Sequence, residues 1–197
     1  YYNHVANMFL NYNGSWDGHN LNVMVGANLD KSEYEYLYYE RHGMQDPNLP
    51  ELALLSEDYS YSHSHSHNGS AGIFGRINYD YKGIYLLELS GRYDGSSRFF
   101  SNNRFGFFPS VSAAWRISEE DWMESAKDVL DALKIRASYG TLGSQNLAGN
   151  SDAASYYPFS QNLAIGNVAM GGNIYPIVTL NTMANADIRW ETTTVLD

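Results

Sequence analysis

The sequence contains no cysteine, so no disulfide can brace it. It also has no run of about 18 apolar residues, which excludes a membrane-crossing helix but leaves membrane-crossing strands open. Positive charge is scarce, with 12 Lys and Arg against 22 Asp and Glu and a net charge of −10. That balance argues against nucleic acid as a partner and against attachment to an anionic lipid surface by overall charge. Catalytic signatures are missing as well: there is no Gly-x-Ser-x-Gly, His-Glu-x-x-His or glycine-rich phosphate loop. Neither enzyme activity nor a cofactor is expected. The chain opens at Tyr1 without a methionine or leader and closes on a strand-like Thr192 to Asp197, so it reads as an excerpt of a longer protein.

What is plentiful is aromatic: 17 Tyr, 8 Phe and 4 Trp, a supply suited to side chains that meet either an interface or a sugar. The stretch from Ala71 to Ile117 shows how they are used. Successive side chains on a strand point to opposite faces. From Ile84 to Tyr93, one face therefore carries Tyr85, Leu87, Leu89, Gly91 and Tyr93, and the other Leu86, Glu88, Ser90 and Arg92. An aliphatic row with a tyrosine at each end suits a bilayer-crossing strand, because tyrosine settles where hydrocarbon meets headgroups. Eight steps span about 26 Å along the strand, or about 20 Å of height at barrel tilt.

The alternation recurs along the chain. It runs from Val5 to Tyr12, then, after a turn-rich Asn13 to Gly18, from Leu21 to Leu29. It returns from Ala71 to Tyr81, reaches the central strand through the two-residue turn Lys82-Gly83, and resumes from Arg104 to Ile117 and from Leu133 to Tyr139. Pro109 donates no ladder hydrogen bond, so a bulge or an unpaired site is expected there. Between them, residues 30–70 read as a long polar and aromatic loop broken by Pro47 and Pro50, with room for a short helix over Ser32 to His42. Asp94 to Asn103 reads as a medium loop. Ser118 to Ala132 reads as a short amphipathic helix, with Trp122, Met123, Ala126, Val129 and Leu130 at helical spacing. A second long polar region follows from Thr141 to about Ile188. Connections thus alternate short and long, as in an up-and-down barrel with short periplasmic turns and long external loops. The expected fold is all-β: about six to seven antiparallel strands from a large transmembrane β-barrel, with one short helix in a periplasmic connection.

Several segments also resemble a known family. Gly72 to Tyr81, Arg92-Tyr-Asp-Gly-Ser-Ser-Arg-Phe99, Phe108 to Ile117, Leu133 to Gly140 followed by Gly143-Ser-Gln, and Ile188 to Thr192 resemble, in the same order, segments of SusC/RagA-type TonB-dependent outer-membrane transporters. The resemblance implies a 22-stranded barrel with an amino-terminal plug, a TonB box and a SusD-like lipoprotein lid. It also implies oligosaccharide or peptide as cargo. Residues 1–197 would all belong to the barrel domain, with plug and coupling box absent from the sequence. Outer-membrane lipid, the lid, and TonB acting through the plug would be the partners.

Candidate site residues follow. Tyr34, Tyr36, Tyr38, Tyr39, Tyr59 and Tyr61 sit in the first long loop and could stack on sugar rings, though packing against a neighbouring loop or the lid is the better account of any single one. Asp94 and Arg98 could hold ligand, but an Asp-stabilised turn with an internal Asp to Arg contact is the simpler reading. Arg76, Glu88, Arg92, Arg116, Lys134 and Arg136 are expected to face the lumen, where they could line a path or pair across strands. His63, His65 and His67 would share one face if extended, but no carboxylate spacing supports a metal site, so a polar loop tip is expected. Asn13-Gly-Ser15 and Asn68-Gly-Ser70 fit a glycosylation pattern and read more simply as turns. A soluble β-sandwich that binds carbohydrate is the alternative, and it would bury its apolar rows against a second sheet. A glycan-degrading domain would need two converging carboxylates, which nothing here sets up.

Overall fold

The computed structural model describes residues 1–46, 48–49, 51, 54–126, 129–146, 157–161, 163–180 and 183–197. Among the described residues nine strands form: β1 (Tyr2–Trp16), β2 (His19–Arg41), β3 (Tyr59–Tyr81), β4 (Tyr85–Ser96), β5 (Phe105–Arg116), β6 (Lys134–Ser144), β7 (Leu163–Met170), β8 (Asn173–Leu180) and β9 (Glu191–Leu196). Seven of them make one antiparallel sheet in the order β1-β2-β3-β4-β5-β6-β9, and β7 pairs only with β8. In this sheet β1 to β6 each neighbour the next in sequence, β6 then neighbours β9, and β1 and β9 are its edges.

The turns explain the register. Asp17-Gly18 and Lys82-Gly83 each put two successive residues at positive φ, the geometry whose twist matches a two-residue hairpin. Asp80 Oδ1 accepts from the Gly83 amide at 2.9 Å and from Asn20 Nδ2 at 2.9 Å, tying the second turn to the neighbouring hairpin. The first turn falls later than the glycines at 14 and 18 imply together. Residues 13–16 stay in β1, so Asn13-Gly-Ser15 is strand rather than turn, and Asn68-Gly-Ser70 likewise lies within β3.

Register then carries the alternation across the whole sheet without a slip. Leu89 pairs with Ile77 and Val111, Ile77 pairs with Val23, and Val23 pairs with Tyr12. One face is a continuous apolar band and stays exposed: Leu89 is 42% accessible, Ile77 41% and Tyr12 61%. No second sheet seals it among the described residues, as a sandwich would require. Aromatic tiers bound the band. At the end with the short turns lie Trp16, His19, Tyr81, Tyr85 and Trp115 in one cross-strand row, with Tyr85 stacked on Trp115 at 6.3 Å and His19 against Tyr81 at 4.6 Å. At the other end Tyr93 stacks on Phe105 at 5.2 Å.

Three expectations need correction. Much of residues 30–70 is not loop: β2 and β3 continue as a paired ribbon from Asp30-Ser70 to Arg41-Tyr59. Ser32 to Arg41 is therefore strand and not helix, because Lys31, Glu33, Glu35 and Leu37 alternate with Ser32, Tyr34, Tyr36 and Tyr38 at a period of two. Only residues 42–58 connect the two strands, and Pro47 and Pro50 lie outside the described residues. The helical signal after Ser118 yields 3-10 turns at Ile117–Glu119 and Asp121–Ala126, interrupted by an extended Glu120. Residues 127–128 lie outside the described ones. Finally, the region after Thr141 holds the β7–β8 hairpin.

Glu120 breaks that helix for an evident reason. Its Oε1 accepts from the Tyr85 hydroxyl at 2.6 Å and from Trp115 Nε1 at 2.8 Å, pinning the connection beneath the aromatic tier. These two donors, the Tyr85 hydroxyl first, hold its carboxyl below the usual carboxylate range. A carboxylate whose folded pKa is depressed stabilises the fold above its unfolded pKa, and that contribution disappears as pH falls through the folded value. In the full-length protein, the gap in Tm between wild type and Glu120→Ala should hold between about pH 7 and 5 and shrink below about pH 4. A gap independent of pH would contradict this role.

Candidate functional site: the polar face of the sheet

Residues at the alternate positions build the opposite face. Arg76, Glu88, Arg92, Arg116, Lys134 and Arg136 all fall on it, since Arg76 pairs with Ser90, Glu88 with Ser112, Arg116 with Lys134 and Arg136 with Ala114. Several satisfy one another. Arg76 Nε lies 3.8 Å from Glu88 Oε1, Arg136 Nη2 donates to Asp197 Oδ2 at 2.9 Å, and Asn22 donates to Asn13. Arg116 reaches the Gly83 carbonyl at 3.5 Å and faces Lys134 directly.

The best-organised group surrounds Arg92. Its Nε donates to Asp94 Oδ2 at 3.0 Å, its Nη2 to Asp94 Oδ1 at 2.9 Å and to Asn28 Oδ1 at 3.0 Å, and the guanidinium lies 5.3 Å over the ring of Phe74. Three of five donors are used, which leaves Nη1 with its two. Asp94 can reach Arg92 because Gly72 stands between strands: a Cβ there would overlap Asp94 Oδ1 and sit 2.9 Å from Asn28 Oδ1. Two recesses flank the ion pair. One, of about 330 Å³, is lined by Asn28, Asp94, Ser144 to Asn146 and Trp190. The other, of about 260 Å³, is lined by Ser90, Ser110, Phe108 and Gly140 to Gly143. Hydroxyls, amides and one ion pair equip this surface to hold a polar solute by hydrogen bonds.

Pro109 shapes the second recess, as its missing N–H suggests. Pairing between β5 and β6 begins only at Ser110–Gly140, while β6 pairs with β9 along its other edge from Tyr139 to Ser144. Phe108 drops into the gap, buried, with Trp190 edge-on to it at 5.3 Å, Trp190 also 5.3 Å from Phe99, and Trp190 Nε1 donating to the Arg104 carbonyl at 3.0 Å. The sequence offers Trp190 only as part of a motif, with nothing to mark it as the filler of a split between strands.

The loop tyrosines are rearranged. They stand on the β2–β3 ribbon and divide between its faces by the same alternation. Tyr34, Tyr36 and Tyr38 continue the polar face, with Tyr36 stacked on Tyr38 at 6.5 Å. Tyr39, Tyr59 and Tyr61 stack together on the apolar-side face at about 6 Å. The six therefore do not converge on one ligand. His63, His65 and His67 do share a face, on a strand and not a loop tip, and His63 Nε2 lies 3.3 Å from Glu35. No metal-holding group forms among the described residues. Asp94 lies within β4 rather than in a turn and pairs with Arg92, while the Arg98 amide donates to Ser96 Oγ at 3.2 Å.

Comparison with known proteins matches this architecture. The family model described as "TonB dependent receptor-like, beta-barrel" covers residues 1–196. TonB-dependent receptor P26 of Formosa agariphila is 36% identical over 92% of the chain and 18% of its own length. TonB-dependent receptor SusC of Bacteroides thetaiotaomicron is 30% identical over 98% of the chain and 18% of its own length. The RagAB peptide importer in its closed-closed state superposes with a TM-score of 0.83 at 23% identity, over 98% of the chain and 21% of that structure. The chain thus spans about a fifth of the proteins it matches. With an apolar face bounded by aromatic tiers and a polar face opposite, it belongs to the β-barrel family of TonB-dependent receptors, in the SusC/RagA group of the outer membrane.

Proposed function

We propose that this chain forms part of the wall of a TonB-dependent importer for oligosaccharides or peptides, with its polar face lining the passage. The single observation that carries the reading is the exposed apolar band held between two aromatic tiers on one face, with charged and hydroxyl-bearing rows on the other. Hydrocarbon satisfies the first face and a water-filled passage satisfies the second. Arg92, through its two uncommitted donors, and Tyr34, Tyr36 and Tyr38 on the ribbon above are the side chains placed to meet cargo, with Arg98 at the rim. Arg76, Glu88, Arg116, Lys134 and Arg136 keep the passage polar. A SusD-like lipoprotein would close the outer mouth, and TonB would act through a plug outside this sequence. No bond is made or broken, so the role is transport and not catalysis.

The test is uptake by cells producing the full-length protein, with labelled oligosaccharide and labelled peptide supplied separately. Uptake of one cargo should need both TonB and the lipoprotein, and Arg92→Gln should reduce it while leaving the barrel in the membrane. Uptake of neither cargo, or uptake unchanged by removing TonB, would overturn the proposal.

A further inference from the structure

A cleft on the outward face lies just beyond the upper aromatic tier. Its floor is Leu29, Ala71, Gly95 and Phe105, one cross-strand step above the row of Ile73, Tyr93 and Phe107. Its roof is Tyr157 and Phe159, which pack edge-on at 5.9 Å; Tyr157 lies 5.3 Å from His67, and Phe159 lies 5.6 Å from Phe100. The open groove between them holds about 440 Å³. The chain is acidic overall, yet two cationic residues, Lys31 and Arg104, line this opening, with His67 beside them. Lys31 is held by Glu33 at 2.5 Å, and the Asp30 carboxylate points to the opposite face by strand alternation. The Arg104 guanidinium has no hydrogen-bond or ion-pair partner among the described residues, while its carbonyl is fixed by Ser96 and Trp190.

We infer that this cleft binds a phosphorylated lipid of the surrounding leaflet, with an acyl chain against Leu29, Ala71 and Phe105 and the phosphate on Arg104. Two observations select that occupant over a soluble ligand. The apolar floor continues the band that meets hydrocarbon, and the cations sit at the height where headgroups begin. An arginine fork reads phosphate by paired charge-assisted hydrogen bonds. The inference rests on the apolar face meeting lipid, but not on import: a protein that carries no cargo could still hold this lipid.

The full-length protein in detergent would be titrated with diphosphoryl lipid A and, separately, with the same lipid freed of phosphate, with bound lipid counted by native mass spectrometry. Wild type should favour the phosphorylated form by about tenfold, as charge-assisted bonds to one phosphate provide. Arg104→Gln should erase the preference, and Arg104→Lys should keep part of it. Gly69→Leu should weaken both lipids, since a side chain at Gly69 meets only the Asp30 carbonyl at 3.5 Å and otherwise enters open space. Equal binding of the two lipids by wild type, or a preference that survives Arg104→Gln, would overturn the inference.

Discussion

Replacing Leu89 by arginine in the full-length protein should cost about 2–4 kcal/mol of stability in a lipid bilayer, the penalty for a charge at the midplane of a barrel's lipid face. Leu89 is the residue to choose because it lies midway between Tyr85 and Tyr93, with Ile77 and Val111 on either side, so an arginine there has the longest reach to either interface. The matched control is Ser112→Arg, on the polar face directly across from Glu88, where the new charge finds water and a carboxylate. Its cost should be well under 1 kcal/mol, the usual range for exposed polar substitutions. Urea unfolding into and out of lipid vesicles measures both. Equal penalties would mean that the two faces meet the same medium.

The second large effect is expected at Gly143. A Cβ there would land on the ring of Phe108, overlapping three of its carbons, and the ring cannot withdraw because Gly106 and Trp190 close the other side. Gly143→Ala should destabilise the protein by about 1–3 kcal/mol, the cost of overpacking a filled site. Gly143→Ala combined with Phe108→Leu should recover part of that loss, since the shorter side chain vacates the contested space. A double variant no more stable than the single one would show that the cost arises from backbone freedom instead.

The central strands were legible because both of their faces are specified. Tyr85, Leu87 and Leu89 alternate with Leu86, Glu88 and Ser90, and a slip of one residue would turn every side chain over. The β2–β3 ribbon was not legible, because above the membrane Ser-His and Tyr-Glu alternation is polar on both faces, and period two without a hydrophobic row resembles a loop. The error carried into the site: tyrosines counted as one cluster are divided by the pleat. Local composition places Glu120 at a helix start, whereas two aromatic donors from β4 and β5 take its carboxylate away. Asp94 looked like a turn residue for the same reason. Its partner on the neighbouring strand, the space left by Gly72, becomes apparent only once register is known. At Pro109 no bulge forms, because the residue keeps its register with Gly91, but its lost donor acts locally and ladder pairing with β6 stops one residue away, at Ser110.

Thiol accessibility tests the facing most directly. The chain has no cysteine of its own, so single cysteines at Leu89 and Ser112 can be placed in a cysteine-free full-length background and treated in intact membranes with a small water-soluble thiol reagent. Ser112→Cys should label readily and Leu89→Cys should stay unlabelled until detergent strips the lipid away. Rapid labelling at position 89 in the intact membrane would contradict the account.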